Sequence, residues 1–368
     1  MTKLIDLTVE SRPPRAALVG LITRKQPRAL AEELLEELAE LTTSANAVVI
    51  ERALQKRDAP QPATYIGRGL LDTIKESITE KQIDLVIFDD PLTPAQQRNL
   101  EQALSVKVLD RPRLILDIFA TRARTSEAMA QVELAQLQYL LPRLTRAWTH
   151  LSRQYGGAIG ARGPGETQLE IDRRRVRDKI AHLKKKLEKI DRQRSLRRKG
   201  RDGLFKIALV GYTNAGKSTL FNKLTKANVD VANKLFMTLD PTSRIMSTQY
   251  PCKIIFTDTV GFVRKLPHEL VEAFKSTLEE SVVADLLLHI IDCSADDFQD
   301  KMAQTEATLS QIGATAPTAL VYNKVDLAPD FIPPQQDSQK TALVSAVTGQ
   351  GLDDLRDTLI RLAMNNRT

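Results

Sequence analysis

The sequence predicts an α/β protein in three parts. These are a small N-terminal parallel-sheet domain over residues 1–112, an antiparallel helical hairpin over 113–200, and a C-terminal α/β domain over 201–368. Three observations carry this. Apolar runs alternate with helical spacing from residue 16 to about 110, the pattern of a parallel sheet covered by helices. Two leucine-rich seams at heptad spacing follow, joined by a short glycine-rich connection. Then Ile207-Ala208-Leu209-Val210 runs into Gly211-Tyr212-Thr213-Asn214-Ala215-Gly216-Lys217-Ser218-Thr219 and on into Leu220-Phe221-Asn222-Lys223-Leu224. A strand, a GxxxxGK(S/T) loop and a helix start are the context in which such a loop cradles phosphate.

In the N-terminal part, Ala16–Ile22, Ala47–Ile50, Ile83–Phe88 and Val106–Leu109 read as strands. Pro27–Leu41, Leu70–Ile78 and Thr93–Leu104 read as helices, the last with Thr93 as cap and Pro94 in its first turn. The stretch from Ala53 to Ile66 reads as a loop, and no phosphate-loop pattern completes it.

From Ile115 the spacing lengthens. Leu134, Leu137, Leu141, Leu144, Trp148 and Leu151 form one seam, and Val176, Ile180, Leu183, Leu187 and Ile190 form the other. Both are core stripes, and Pro142 should kink or break the first helix. The connection from Tyr155 to Gly165 holds five glycines around Arg162. Glycines let a backbone approach closely, and Arg162 can bond phosphate or stack on a base, which suggests a tip that contacts RNA or the C-terminal domain. Arg192–Asp202 reads as a polar linker.

With 42% apolar and 27% charged residues, the chain is an ordinary globular protein that can bury more than one core. No segment has membrane-spanning length and no signal peptide is visible. Cys252 and Cys293 lie in apolar, strand-like runs, which argues against a disulfide framework and fits a reducing cytoplasm. Four histidines and two cysteines without paired spacing argue against a zinc site. The expectation is a cytoplasmic monomer without an integral membrane segment, at most peripheral to a membrane. Between Arg173 and Arg201 fifteen Lys or Arg face three acids, a local charge of +12 against +7 for the whole chain. Few acids sit at i+4 to neutralise this run, so a polyanion partner competes with a solvated helix face. Arg162, Arg173, Arg174, Arg175, Lys184 and Lys185 are the candidate RNA contacts.

Downstream of Lys217, which would reach the outer phosphates, and Ser218, which would hold Mg²⁺, four elements follow in order. Phe236-Met237-Thr238-Leu239-Asp240-Pro241 offers Thr238 to Mg²⁺ and the γ-phosphate. Ile254–Phe262 delivers Asp258 to the metal's outer shell and offers the Gly261 N–H to the γ-phosphate. In Asn323-Lys324-Val325-Asp326 the Asp326 carboxylate can accept both N1–H and N2–H₂ of guanine. Asn323 would tie this loop to the phosphate-loop side, and the Lys324 stem would lie along the base. In Val344-Ser345-Ala346 the Ala346 N–H would meet guanine O6. Adenine offers no such donor pair, so the set chooses GTP over ATP. Phe262 stands where many such enzymes place a water-orienting Gln. Slow intrinsic hydrolysis is therefore expected, with the missing group supplied by a partner, by rearranged segments, or by His268.

In this order the motifs resemble the translation-factor-related class of P-loop GTPases. GARGPGETQLEIDRRR at 160–175, DRPRLILDIFATRART at 110–125 and LVEAFKSTLEE at 270–280 are similar to the HflX family of ribosome-associated GTPases. The resemblance runs from about residue 16 to about 362. It implies an N-terminal α/β domain, a helical hairpin and a G domain. It also implies binding to the large (50S) ribosomal subunit and its rRNA, and splitting of stalled or idle 70S ribosomes. Arg162, Gly163, Pro164 and Gly165 match the family's hairpin tip. In related GTPases an Asn at the position of Asn214 helps to hold K⁺, which implies K⁺-stimulated turnover. Many bacterial members carry a further C-terminal domain, and this chain stops soon after Leu352–Leu362. Contacts made through that domain are not implied.

Three rival readings stand beside this one. They are a 50S assembly or stand-by GTPase, a GTPase switch acting on a protein partner, and an ATP-dependent RNA remodeller working through the N-terminal domain.

Overall fold

The computed structural model describes residues 12–24, 26–144, 168–199, 203–225, 235–246, 253–265, 275–334 and 341–365. Trp148, Leu151, the tip with Arg162, Cys252 and His268 lie outside the described residues. Contacts divide the chain into two compact units, Met1–Thr121 with Met129–Ile190, and Arg122–Ala128 with Asp191–Thr368.

In the first unit the strands β1 (Arg15–Ile22), β2 (Val48–Lys56), β3 (Leu85–Phe88) and β4 (Lys107–Asp110) form one sheet in the order β2-β1-β3-β4, all parallel. Helices α1 (Arg28–Ser44), α2 (Arg68–Glu80) and α3 (Pro94–Leu104) are the crossovers. Side chains alternate across a strand. Ala17, Val19, Val86, Phe88 and Val108 accordingly share a core with Ile74 of α2 and Leu100 of α3. Ala16 and Leu18 are buried as well, and α1 packs on β1 and β2 with Leu34, Leu38 and Leu41 buried. A capping box fixes the start of α3: the Thr93 hydroxyl accepts from Gln96 N, and Gln96 Oε1 accepts from Thr93 N. The structure corrects the reading after Ala53, because β2 continues to Lys56 in register with Ile22.

A separate helix, α4 (Arg111–Arg122), follows β4 directly, and α5 (Ser126–Leu140) starts after a break. Pro142 does break the seam, as a 3₁₀ turn at Leu141–Arg143 replaces the α-helix. The break shifts the seam, so Leu140 is buried in the core while Leu141 only packs against it. Helix α6 (Gln168–Lys199) packs its Val176 and Leu183 against Leu134, Leu137, Leu140 and Leu144. Arg173 Nη2 donates to Leu144 O at 2.8 Å, and Lys179 pairs with Glu133, so the two segments run antiparallel. The linker expected at Arg192–Asp202 is helical as far as Lys199, because nothing there breaks a helix before Gly200.

One carboxylate ties this arm to the sheet. Asp110 accepts from Leu92 N and Arg113 N, each at 3.0 Å, and from the Tyr139 hydroxyl at 2.8 Å. Arg143 stacks on the Tyr139 ring, 3.6 Å from its centroid, and donates to Leu92 O at 2.7 Å.

The second unit holds six strands in the order β10-β9-β8-β5-β7-β6. They are β5 (Phe205–Gly211), β6 (Thr242–Ile245), β7 (Ile254–Asp258), β8 (Leu286–Asp292), β9 (Thr318–Asn323) and β10 (Thr341–Leu343). Only β6 is antiparallel, on β7. Helices α7 (Lys217–Thr225), α8 (Lys275–Val282), α9 (Phe298–Gln311) and α10 (Leu352–Asn365) flank the sheet. Ile207, Leu209, Phe256 and Leu288 face Leu220 and Phe221 of α7 and Leu355 and Leu359 of α10. Ala208, Val210 and Leu287 face Leu309 of α9. Cys293 lies just beyond β8 rather than within it. From β5 the chain goes to β7 on one side and then to β8 on the other. This is a topological switch point, where open α/β sheets bind ligands.

Candidate functional site

At that point a cavity of about 340 Å³ opens. It is lined by Thr213, Asn214 and Gly216 of the loop before α7, by Lys217, Ser218 and Thr219 of its first turn, and by Phe236, Met237 and Thr238 of the segment before β6. Gly261, Asn323, Lys324, Asp326, Ser345 and Ala346 of the predicted set line it as well, and the volume suits a nucleotide.

The loop's shape follows from two close approaches. Gly216 sits at φ +93°, and a Cβ there would stand 2.2 Å from Asn323 Nδ2. A Cβ on Gly261 would stand 2.8 Å from Lys217 Nζ and 2.9 Å from Thr213 Cα. Only glycine lets these segments meet. Gly211 ends β5, and Tyr212 and Ala215 are buried behind the loop, outside the cavity lining.

Lys217 is buried, and its ammonium donates to Tyr212 O at 2.6 Å and Gly211 O at 3.1 Å. Burial pushes its pKa down to about 8, against a smaller upward pull from Asp258. A bound polyphosphate would restore the proton. Nucleotide binding is therefore expected to weaken as pH rises through about 8, and to take up at most about one proton per site near pH 8.5. Calorimetry in two buffers of different ionisation enthalpy measures this uptake. Identical heats in both buffers would rule it out.

Ser218, Thr238 and Asp258 converge. Asp258 Oδ2 accepts from Ser218 Oγ at 2.7 Å and from Thr238 Oγ1 at 3.0 Å, and the two hydroxyls are 2.9 Å apart. Asp258 is fully buried at the end of β7, its Oδ1 has no partner among the described residues, and burial raises its pKa. Two hydroxyls and a carboxylate with one unpartnered oxygen form the hard-oxygen donor set that Mg²⁺ takes. The P-loop GTPase fold normally works with Mg²⁺, and these residues fit it.

At the other end of the cavity, Asn323 Nδ2 donates to Ala215 O at 2.8 Å. Asp326 is exposed on the lining. The Ala346 N–H, read as the donor to guanine O6, donates to Asn323 Oδ1 at 2.9 Å and so links the two loops that line this end.

Several lining or supporting residues escaped the sequence reading. Asp292 Oδ2 pairs with Lys324 Nζ at 2.6 Å, while Asp292 Oδ1 accepts from Ser294. An Asp closing an apolar strand run was the available sign. Leu327 and Val347 line the cavity and are strongly exposed, as apolar walls for a base would be. Phe262 is buried and faces Tyr212, Val210 and Leu309.

Of the candidate RNA contacts, Arg174, Arg175, Lys184 and Lys185 are exposed on α6. Arg173 is half-buried and engaged within the arm.

Sequence-family models described as "GTP-binding GTPase N-terminal", "GTP-binding GTPase Middle Region" and "50S ribosome-binding GTPase" match residues 32–120, 122–201 and 206–324. The chain is 49% identical to the GTPase HflX of Caldanaerobacter subterraneus, covering 94% of this chain and 80% of that protein. It is 46% identical to the GTPase HflX of Escherichia coli, covering 89% and 78%. Among solved structures, the crystal structure of the SsGBP–GDP complex is similar, with a TM-score of 0.52 and 26% identity over 96% of this chain and 100% of that one. No described helix is long and apolar enough to cross a membrane. With a phosphate loop, a guanine-type pocket and this degree of identity along nearly its whole length, the chain belongs to the HflX family of GTPases.

Proposed function

We propose that this GTPase works in the cytoplasm, docks on the large ribosomal subunit through its basic arm, and splits 70S ribosomes. One observation carries the docking. The basic run lies on α6 as far as Lys199, and Arg174, Arg175, Lys184 and Lys185 on it are exposed. The description "50S ribosome-binding GTPase" of the matching G-domain family supports the same partner.

In the proposed cycle Gly211–Thr219 wrap the phosphates and Lys217 meets their outer oxygens. Ser218 and Thr238 would hold Mg²⁺, with Asp258 behind them, and the ion would supply charge neutralisation for the phosphates. The Gly261 N–H meets the γ-phosphate. Asp326 reads the guanine edge between Leu327 and Val347, while the Lys324 stem, braced by Asp292, lies along the base. Asn323 and Ser345-Ala346 hold that loop closed. Phe262 can neither donate nor accept a hydrogen bond and is buried, so water is positioned by a group the ribosome supplies. Turnover alone is slow and rises on the ribosome.

Asn214, exposed on the lining, would help to hold K⁺, which would supply positive charge beside the phosphates. Hydrolysis is expected to run several-fold faster in KCl than in NaCl, and equal rates would remove the ion from the mechanism.

The test is GTP hydrolysis alone, with 50S subunits and with 70S ribosomes, beside a sedimentation profile. Stimulation by 50S with conversion of 70S to subunits is the expected result. Stimulation without conversion would assign an assembly or stand-by role. No stimulation would leave a switch for a protein partner.

A further inference from the structure

Tyr212, the second residue of the phosphate loop, has a side chain that lies in the core and outside the cavity lining. Its ring is buried beside Phe262, Val210 and Leu309. Its hydroxyl accepts from Arg264 N at 2.7 Å. The backbones on either side are laced together. Thr213 N donates to Phe262 O at 2.8 Å, and Phe262 N donates to Gly211 O at 3.1 Å, making a parallel bridge between Tyr212 and Phe262. Arg264 is itself held from the far side. It is buried, and its guanidinium pairs with Asp297 at 3.3 Å at the start of α9. Asp297 also pairs with Lys301 at 2.8 Å, and the Lys301 ammonium lies 5.5 Å from the centre of the Tyr212 ring.

These contacts grip the chain just after Gly261. The chain leaves β7 at Asp258 and passes Gly261, which lies against Lys217 and Thr213. It is then fastened at Phe262 by two backbone bonds and at Arg264 by the Tyr212 hydroxyl. Three residues beyond the glycine, the Arg264 amide has a fixed partner inside the core rather than in solvent.

We propose that Tyr212 is a positioning residue for the γ-phosphate. By fastening the segment after Gly261 to the phosphate loop, it sets the Gly261 N–H at the height where a third phosphate arrives. This gives Phe262 a task too. The side chain that cannot orient water is the apolar anchor of the clamp. The proposal rests on the assignment of Gly261 to the γ-phosphate, and it separates GTP from GDP, because only GTP reaches that amide. A defect in the phosphate loop itself would weaken both nucleotides alike.

The test is equilibrium binding of a non-hydrolysable GTP analogue and of GDP to Tyr212→Phe, which keeps the ring and deletes only the hydroxyl. The analogue is expected to bind roughly 3- to 10-fold more weakly, the range of one lost hydrogen bond, with GDP affinity within about 2-fold of wild type. GDP binding also reports that the variant is folded. Asp297→Asn, which loosens Arg264 from the other side, is expected to show the same selective loss, and the double variant less than the product of the two. Equal losses for both nucleotides, no loss for either, or tighter analogue binding would each overturn the proposal. Gly261→Ala separates the two assignments. If it selectively loses the analogue while Tyr212→Phe does not, Gly261 keeps its role and Tyr212 does not. If it binds the analogue as tightly as wild type, both assignments fall.

Discussion

Asp326→Asn is expected to lower GTP affinity on the order of 100- to 1000-fold and to turn the pocket toward xanthine nucleotides. Guanine offers two donors on one edge, and a carboxylate accepts both with charge assistance, which makes such bonds the strong ones. An amide in its place offers one acceptor and one NH₂ donor, so the NH₂ faces the guanine amino group. Xanthine carries a carbonyl where guanine carries that amino group, and the same NH₂ then finds an acceptor. Asp326 lies exposed on the cavity lining, and Asn323, which closes the loop beside it, is tied to Ala215 O and Ala346 N. The exchange should therefore alter recognition without dismantling the loop. Competition binding with GDP and XDP measures it. Loss of GDP without gain of XDP would mean that the loop collapses or that another group reads the edge.

The second large effect is on stability. Arg111 is completely buried, donating to Asp89 Oδ1 at 2.9 Å through Nε, to Glu37 Oε1 at 2.6 Å through Nη1, and to Leu34 O at 2.8 Å through Nη2. It joins α1, the end of β3 and the start of α4. Arg111→Ala would leave two carboxylates in the core without their cation, a loss of about 3–5 kcal/mol. That is a large share of the roughly 5–15 kcal/mol that holds a domain together. Denaturant titration should show the first unit melting earlier. An unchanged midpoint would mean that water reaches Asp89 and neutralises the loss. Replacing all three charged groups by apolar ones of similar volume is expected to recover most of it, since breaking a buried ion network is costly while removing it whole is not.

The alternation of strand and helix, the capped start at Thr93, the two seams and the nucleotide motifs are all local patterns, and the sequence states them openly. What it hid depends on tertiary contact. Strand β6 has only four residues and no apolar alternation, so it exists by pairing with β7. The helix through Arg192–Lys199 looked like a linker because its composition is polar, although polar residues propagate a helix as well as apolar ones. Within the site, Lys217 and Ser218 were legible because the fixed spacing of a loop encodes them, and Thr238 and Asp258 because their motifs follow that loop in order. Asp292 was not, because its partner Lys324 lies more than thirty residues away, and β8 meets β9 only once the sheet has formed. The Ala346 amide found Asn323 for the same reason. A spacing rule states which residues gather, not which hydrogen bonds they choose.

The Asp110 carboxylate has a mechanical consequence. Because it fastens the end of α5 to the end of β4 and the start of α4, the arm cannot swing independently of its sheet. The part of α6 within that unit, Gln168 to Ile190, is about 34 Å long at helical rise. A rigid rod of that length, turned about 10° at its root, carries its far end through roughly 6 Å. That is about one helical turn. Small rotations at the sheet thus become large strokes at the far end, and a single carboxylate sets the gearing.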